Sequence, residues 1–188
     1  QLPLLKLKRV GQHLAIPGKT RENKRILQLF LKTVLRCNKR TGKAKKGNET
    51  TMNEQAKMLA GKLYTAQDPQ LTADHQRALR LTRRYNMTAE DQQEERETLL
   101  QELLGSVGED VVIMPPFRCD YGSQIEIGDH FFANYDCLFL DVCPITIGDH
   151  VMLGPRVCLY TAAHPLSAEV RDTGLEYGKP ITIGNSVW

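Results

Sequence analysis

Among the 188 residues, the side chains best suited to proton transfer near neutral pH are five histidines: His13, His75, His130, His150 and His164. His130 and His150 close two identical Ile-Gly-Asp-His phrases, so a repeat accounts for both without a chemical role. His13 lies in a basic leader and His75 in a helical run, and both are expected to be solvated. His164 is the one that no pattern explains. It follows the strand-like run Leu159-Tyr160-Thr161-Ala162-Ala163, precedes Pro165 and opens a polar stretch. An imidazole placed there can serve as a general base or stand as a solvated loop residue. A metal centre is not expected, because no two histidines sit at close ligand spacing and two of them belong to equivalent repeat positions. The five cysteines (Cys37, Cys119, Cys137, Cys143, Cys158) form no Cys-x-x-Cys pair. They are expected as free thiols in a reducing, cytoplasmic compartment, with Cys158 in the core.

The element that must position His164 is a repeat. Ile125-Glu126-Ile127-Gly128-Asp129, Ile145-Thr146-Ile147-Gly148-Asp149 and Ile181-Thr182-Ile183-Gly184-Asn185 are one phrase written three times. Between them, apolar or small residues recur every six positions: Ile127, Ala133 and Phe139, then Ile147, Leu153 and Leu159. A six-residue period taken three times per coil is the requirement of a triangular parallel β-solenoid. One apolar side chain per hexad then points into the prism, and the Gly-Asp or Gly-Asn pair is expected to turn the corner in a left-handed conformation. The ladder residues are core and carry no chemistry. The hexads break after Ala163, and residues 164–180 form a polar excursion about one coil long, the usual place for function on a solenoid.

Ahead of the repeat, residues 52–105 read as helical. Met58, Leu59 and Leu63 share one face; a second run over 71–85 has Leu71, Ala78, Leu79 and Leu81 as apolar members. A third helix is expected from a capping box of Thr88 with Asp91, through Leu99, Leu100, Leu103 and Leu104, to a stop at Gly105. No stripe is wide enough to form a core alone, so these helices must lean on the repeat.

Residues 1–51 differ in character. They carry 14 Lys and Arg against Glu22 and Glu49, a net +12, while the remainder carries −9. Residues 21–36 can form a short basic amphipathic helix. A nucleic-acid tail lacks interleaved aromatics here, a transit peptide would be serine-rich, and a membrane-surface helix would have only about three turns of apolar face. The remaining expectation is that this stretch is not part of the working protein: the chain opens on Gln, and Met52 reads as a natural start. Overall, 41% hydrophobic and 25% charged residues exclude a disordered or collagen-like chain, and no apolar run reaches the ~20 residues of a membrane helix.

The motifs FRCDYGSQIEIGDHFFANYDCLFLDVCPITIGDH, LYTAAHP and GKPITIGNSVW, with the lead-in MNEQAKMLAGKLY, resemble the maltose/galactoside O-acetyltransferases of the hexapeptide-repeat family, closer to the maltose branch. The resemblance runs from Met52 to Trp188. It implies a mainly β fold, a left-handed parallel β-helix (106–188) preceded by a small helical cap (52–105), assembled as a homotrimer with sites between subunits. It implies transfer of an acetyl group from acetyl-CoA to a sugar hydroxyl, with no metal, nucleic-acid or membrane partner. His164 matches the family's catalytic histidine and Asn134 a residue near the reacting centre that can steady an oxyanion. Asp68, Asp120, Asp141 and Glu176 match or neighbour acceptor-contacting positions, and Trp188 matches the first tryptophan of the cofactor side.

The departures from the galactoside branch are specific. Asp120 replaces a serine, Phe132 a tyrosine and Val142 a second acid, and Glu176 lies one place later in its loop. Asp120 is expected to favour gluco-configured acceptors. Family members run on for several coils past the Val-Trp that ends this sequence, and those coils complete the acetyl-CoA groove. The expectation is a truncated copy of low or no turnover. The rival expectation is a non-catalytic solenoid that binds sugar or joins full-length trimers, and a third is a different acceptor such as an amino sugar or a drug hydroxyl.

Overall fold

The computed structural model describes residues 52–188. The leader's amphipathic helix, His13 and Cys37 lie outside the described residues.

Three helices come first. Helix α1 (Glu54–Leu59) starts where the Asn53 side chain accepts the Ala56 N–H at 2.8 Å. Helix α2 (Pro69–Asn86) starts at Asp68, whose Oδ1 accepts from the N–H groups of Gln70 and Leu71 at 2.9 and 3.2 Å, with Pro69 in the first turn where no N–H is needed. Helix α3 (Gln93–Leu103) does not begin with the expected capping box: its first-turn flank is Gln92, with no side-chain cap. Thr88 instead ends α2, donating its hydroxyl to Tyr85 O at 2.8 Å and accepting from Arg96 Nε at 2.7 Å. Nor does Gly105 cap the helix. Leu104 is already extended, and Gly105 runs beside the repeat, donating to Ile125 O.

The rest is a left-handed parallel β-helix of three faces. One face stacks β2 (Ser106–Val107), β5 (Ile125–Ile127), β8 (Ile145–Ile147) and β13 (Ile181–Ile183). The second stacks β3 (Val112–Ile113), β6 (Phe132–Ala133) and β9 (Met152–Leu153); the third stacks β4 (Arg118–Cys119), β7 (Leu138–Leu140) and β10 (Cys158–Tyr160). Register pairs the repeated phrases residue for residue: Ile125 with Ile145 with Ile181, and Ile127 with Ile147 with Ile183. Ile125, Ile145, Ala133 and Phe139 are wholly buried. Leu99, Leu100, Leu103 and Leu104 of the cap join the same core, so the helices lean on the solenoid as their narrow stripes require.

Three local expectations are corrected. At the corners the left-handed residue is not the Gly-Asp pair but the one after it: Asp110, His130, His150 and Ser186 have φ of 52°, 56°, 55° and 57°. Gly128 and Gly148 are needed for a different reason. A Cβ there would lie 2.4 and 2.1 Å from the carboxamide or carboxylate oxygen of the next coil, Asp149 and Asn185. Those oxygens accept the backbone N–H of Asp129 and Asp149 at 3.0 Å, so each of these side chains ties its coil to the one before. Cys158 is exposed rather than core, because Leu159 takes the inward place in β10 and its neighbours alternate outward. Leu59, Leu63 and Leu79 are also exposed, the last lying about 100° round α2 from buried Ala78.

The polar excursion is a built element. After β11 (Ala162–Ala163) it makes one short helix, α4 (Ala168–Arg171), and returns as β12 (Leu175–Gly178). Strand β12 pairs antiparallel with β11 on one side and with β1 (Tyr64–Thr65) of the cap on the other. No helix of the described residues is long and apolar enough to cross a membrane.

Candidate active site

His164 follows β11 directly and is exposed. Ala162 pairs with Gly178 and Ala163 with Tyr177, so continuing that register by one residue sets His164 opposite Glu176. On the far side of β12, Glu176 is the register partner of Tyr64. Directly opposite residues of an antiparallel pair project to the same face, which puts Tyr64, Glu176 and His164 in one row across the small sheet. The Tyr64 hydroxyl donates to Glu176 Oε2 at 3.0 Å.

Asp120 sits just past β4, half-buried in the same region. Burial raises its pKa above the ordinary carboxylate range, His75 opposes the rise, and the Glu176 carboxylate adds to it. The two acids therefore feel each other. Tyr121 is pushed up to about 12, first by burial and then by Asp120 and Glu176. His75 is not the solvated helix residue expected. Its Nδ1 lies 2.8 Å from Asp120 O, its ring meets Tyr121 edge-on with centroids 6.0 Å apart, and with Asp120, Leu79 and Leu140 it lines a groove of about 450 Å³. A larger cavity of about 620 Å³ lies between α3 and the first coil and holds none of the candidate residues.

The other expected residues fall into place unevenly. Asp141 is wholly buried. Its Oδ1 accepts the N–H of Asp120 at 3.0 Å and of Tyr121 at 2.9 Å, and its Oδ2 that of Gln124 at 3.3 Å. A carboxylate so enclosed holds the corner together and is not presented to a sugar, which corrects its assignment as an acceptor contact. Asp68 spends one oxygen on the α2 cap and is half-exposed. Asn134 follows β6 at the corner after it, one coil before His164. Its Oδ1 accepts from Tyr135 N at 2.8 Å, and its Nδ2 donors have no partner among the described residues. Trp188 is 91% exposed on the last coil described. His130 and His150 stack at 4.7 Å on the same corner of successive coils, as repeat position requires. Among the described residues no cluster of three His, Cys, Asp or Glu side chains could hold a metal ion.

Tyr64 and His75 were missed because their partners are remote: Glu176 lies 112 residues from Tyr64 and Asp120 lies 45 from His75.

Residues 57–108 match the maltose acetyltransferase hexapeptide capping motif. Over 138 residues the chain is 47% identical to nodulation protein L of Rhizobium meliloti (strain 1021), covering 73% of this chain and 75% of that one. Its structure matches the crystal structure of a maltose O-acetyltransferase from Clostridium difficile 630 with a TM-score of 0.73 and 51% identity, over 74% of each chain. It matches a galactoside acetyltransferase in complex with coenzyme A with a TM-score of 0.71 and 38% identity, over 73% of this chain and 69% of the other.

Proposed function

This chain belongs to the maltose/galactoside O-acetyltransferase family of hexapeptide-repeat proteins, whose members draw the acetyl group from acetyl-CoA, and on that premise we propose that it acetylates a sugar hydroxyl with His164 as general base. The observation that carries this is the placement of His164 one residue past β11, where the register continued from Ala163–Tyr177 sets it opposite Glu176, whose carboxylate in turn acts on Asp120. The imidazole takes the proton of the acceptor hydroxyl as that oxygen attacks the thioester carbonyl. The tetrahedral centre then collapses, the carbon–sulfur bond breaks, and the imidazolium returns its proton to the departing thiolate. No covalent enzyme intermediate is required. The Nδ2 donors of Asn134 are suited to the negative charge that gathers on the carbonyl oxygen. Asp120 and Glu176 accept acceptor hydroxyls, and the exposed Trp188 ring offers a stacking surface for acetyl-CoA.

His164 and Asn134 stand on different corners and different coils of one chain, so joining them at one reacting centre calls for a second copy. The three faces support a closed ring of three copies. One face turns Ser106, Glu126, Thr146 and Thr182 outward and is fit for water. The second turns out Val112, Phe132 and Met152; the third turns out Arg118, Leu138 and Cys158, then Leu140 and Tyr160. Two unlike faces on one subunit, one apolar and the other apolar but for Arg118 at its first coil, suit a heterologous interface that closes by rotation. Sedimentation equilibrium is expected to give three times the 21.3 kDa chain mass, and a species of one chain mass would overturn the trimer.

The activity is tested by release of CoA thiol from acetyl-CoA with maltose, glucose and β-galactosides as acceptors. Thiol release above the acceptor-free rate is expected, with higher kcat/KM for the gluco-configured sugars; turnover of about 1 per second or more would overturn the expectation of a copy of low or no turnover. Saturable sugar binding with no thiol release from any acceptor would overturn the enzyme reading in favour of a binding solenoid.

A further inference from the structure

We infer that Tyr64 is a positioning residue for the His164 loop, its hydroxyl fixing Glu176 and, through β12, the strand that presents the histidine; the inference rests on the reading of His164 as base. Tyr64 exposes no surface and packs with Met58, Leu71, Tyr121 and Val142, a setting a phenylalanine would fill equally well. What the tyrosine adds is one polar atom, and that atom has one partner, Glu176 Oε2 at 3.0 Å. A buried hydroxyl left unpaired is costly, so the bond restricts where the Glu176 carboxylate can lie.

The restraint passes to His164 along the sheet. Strand β12 carries Glu176 in its second position and pairs through Tyr177 with Ala163, the residue before His164. Its other end is wedged. A Cβ on Gly178 would stand 2.7 Å from Cys143 Sγ and 2.8 Å from Val142 Cγ2, and one on Gly61 would stand 2.8 Å from Gly178 O. The cap and the corner after β7 therefore grip β12 at Gly178, and Tyr64 grips it at Glu176. Beyond the sheet the loop holds itself only locally: Arg171 reaches Pro165 O at 3.3 Å and closes one turn on Ser167, and no residue from 164 to 174 is buried. The cap is thus more than a lid on the solenoid's first coils; through β1 it sets the geometry at the reacting end. Burial and the adjacent Glu176 carboxylate hold the Tyr64 phenol far above its usual range, so it donates at every working pH.

The test is a cycle of Tyr64→Phe, Glu176→Ala and the double variant in the full-length protein, with His164→Ala alongside. Tyr64→Phe is expected to lower kcat roughly 10- to 100-fold, the scale of a misplaced reacting group, with the KM for acetyl-CoA and the thermal midpoint nearly unchanged. Added to Glu176→Ala it should cost nothing further, because the pair acts as one unit. Amide exchange at residues 162–164 and 175–178 should quicken in both single variants, a readout available from Glu176→Ala even where Tyr64→Phe folds poorly. Wild-type kcat in Tyr64→Phe, beside a dead His164→Ala, would overturn the proposal and leave the base reading standing. Wild-type activity in His164→Ala would overturn the base reading itself. A Tyr64→Phe effect that adds fully to Glu176→Ala, with a fallen midpoint, would reduce Tyr64 to packing.

Discussion

His164→Ala is expected to lower kcat by about 10²- to 10⁴-fold, the range for loss of a positioned general base, while leaving the fold intact. The two halves of that expectation have separate grounds. His164 is exposed, makes no hydrogen bond within the described residues and follows a strand whose backbone pairing does not depend on its side chain. Removing it leaves no buried group unpaired and opens no cavity, so the stability change belongs with ordinary surface substitutions, within about 0.5 kcal/mol. The reacting oxygen, by contrast, loses the group that takes its proton. Thiol-release kinetics with saturating acetyl-CoA, paired with near-ultraviolet circular dichroism, check both halves. Retained turnover would remove His164 from the chemistry, and lost structure would make the loop a folding element.

How far the sequence could reach is visible in where it succeeded. The ladder Ile127, Ala133, Phe139 and its successor Ile147, Leu153, Leu159 was legible because a solenoid writes the same contact into every coil at fixed spacing. The corners were legible as corners and misread in detail. Local composition points to Gly-Asp for the left-handed turn, whereas the constraint on Gly128 is the oxygen of Asp149, a residue of the next coil. That is a contact between coils, and no single phrase records it. Of the small sheet of β1, β12 and β11 only β11 was legible, as the end of the strand-like run to Ala163: its strands are two to four residues long and antiparallel, and the Tyr64–Glu176 pair spans 112 residues. Family likeness placed Asp120, Asn134 and His164 as candidates but could not show that Asp141 turns inward, since an acid reads the same from sequence whether it faces water or three backbone N–H groups.

Asp141 gives the largest expected effect on stability. Its carboxylate staples the corner after β4 to the corner after β7 by accepting from Asp120, Tyr121 and Gln124. Asp141→Ala strands those three donors. At about 1 kcal/mol or more for each unpaired buried group, roughly 3 kcal/mol or more of unfolding free energy should disappear, readable as a shifted urea midpoint. Ionisation adds a pH signature. Burial lifts the Asp141 carboxyl to about 6 against the pull of the backbone N–H groups that favour its charge, whereas in the unfolded chain it titrates near the ordinary value of about 3.9. Between those values the folded state holds the proton and the unfolded state does not. The contribution to stability is thus fully present below about pH 4 and lost as pH rises through 6, an amount of roughly 3 kcal/mol. Asp141→Asn, neutral throughout, keeps an oxygen for Asp120 and Tyr121 and removes the titration. Urea unfolding at steps from pH 4 to 7 should show wild type gaining on Asp141→Asn as the pH falls. The opposite slope would mean that the three N–H groups outweigh burial and hold the carboxylate charged. The acceptor side shares the consequence: Asp120 takes its place partly from the bond its own N–H makes to Asp141, so a loosened staple should weaken acceptor binding before it touches acetyl-CoA.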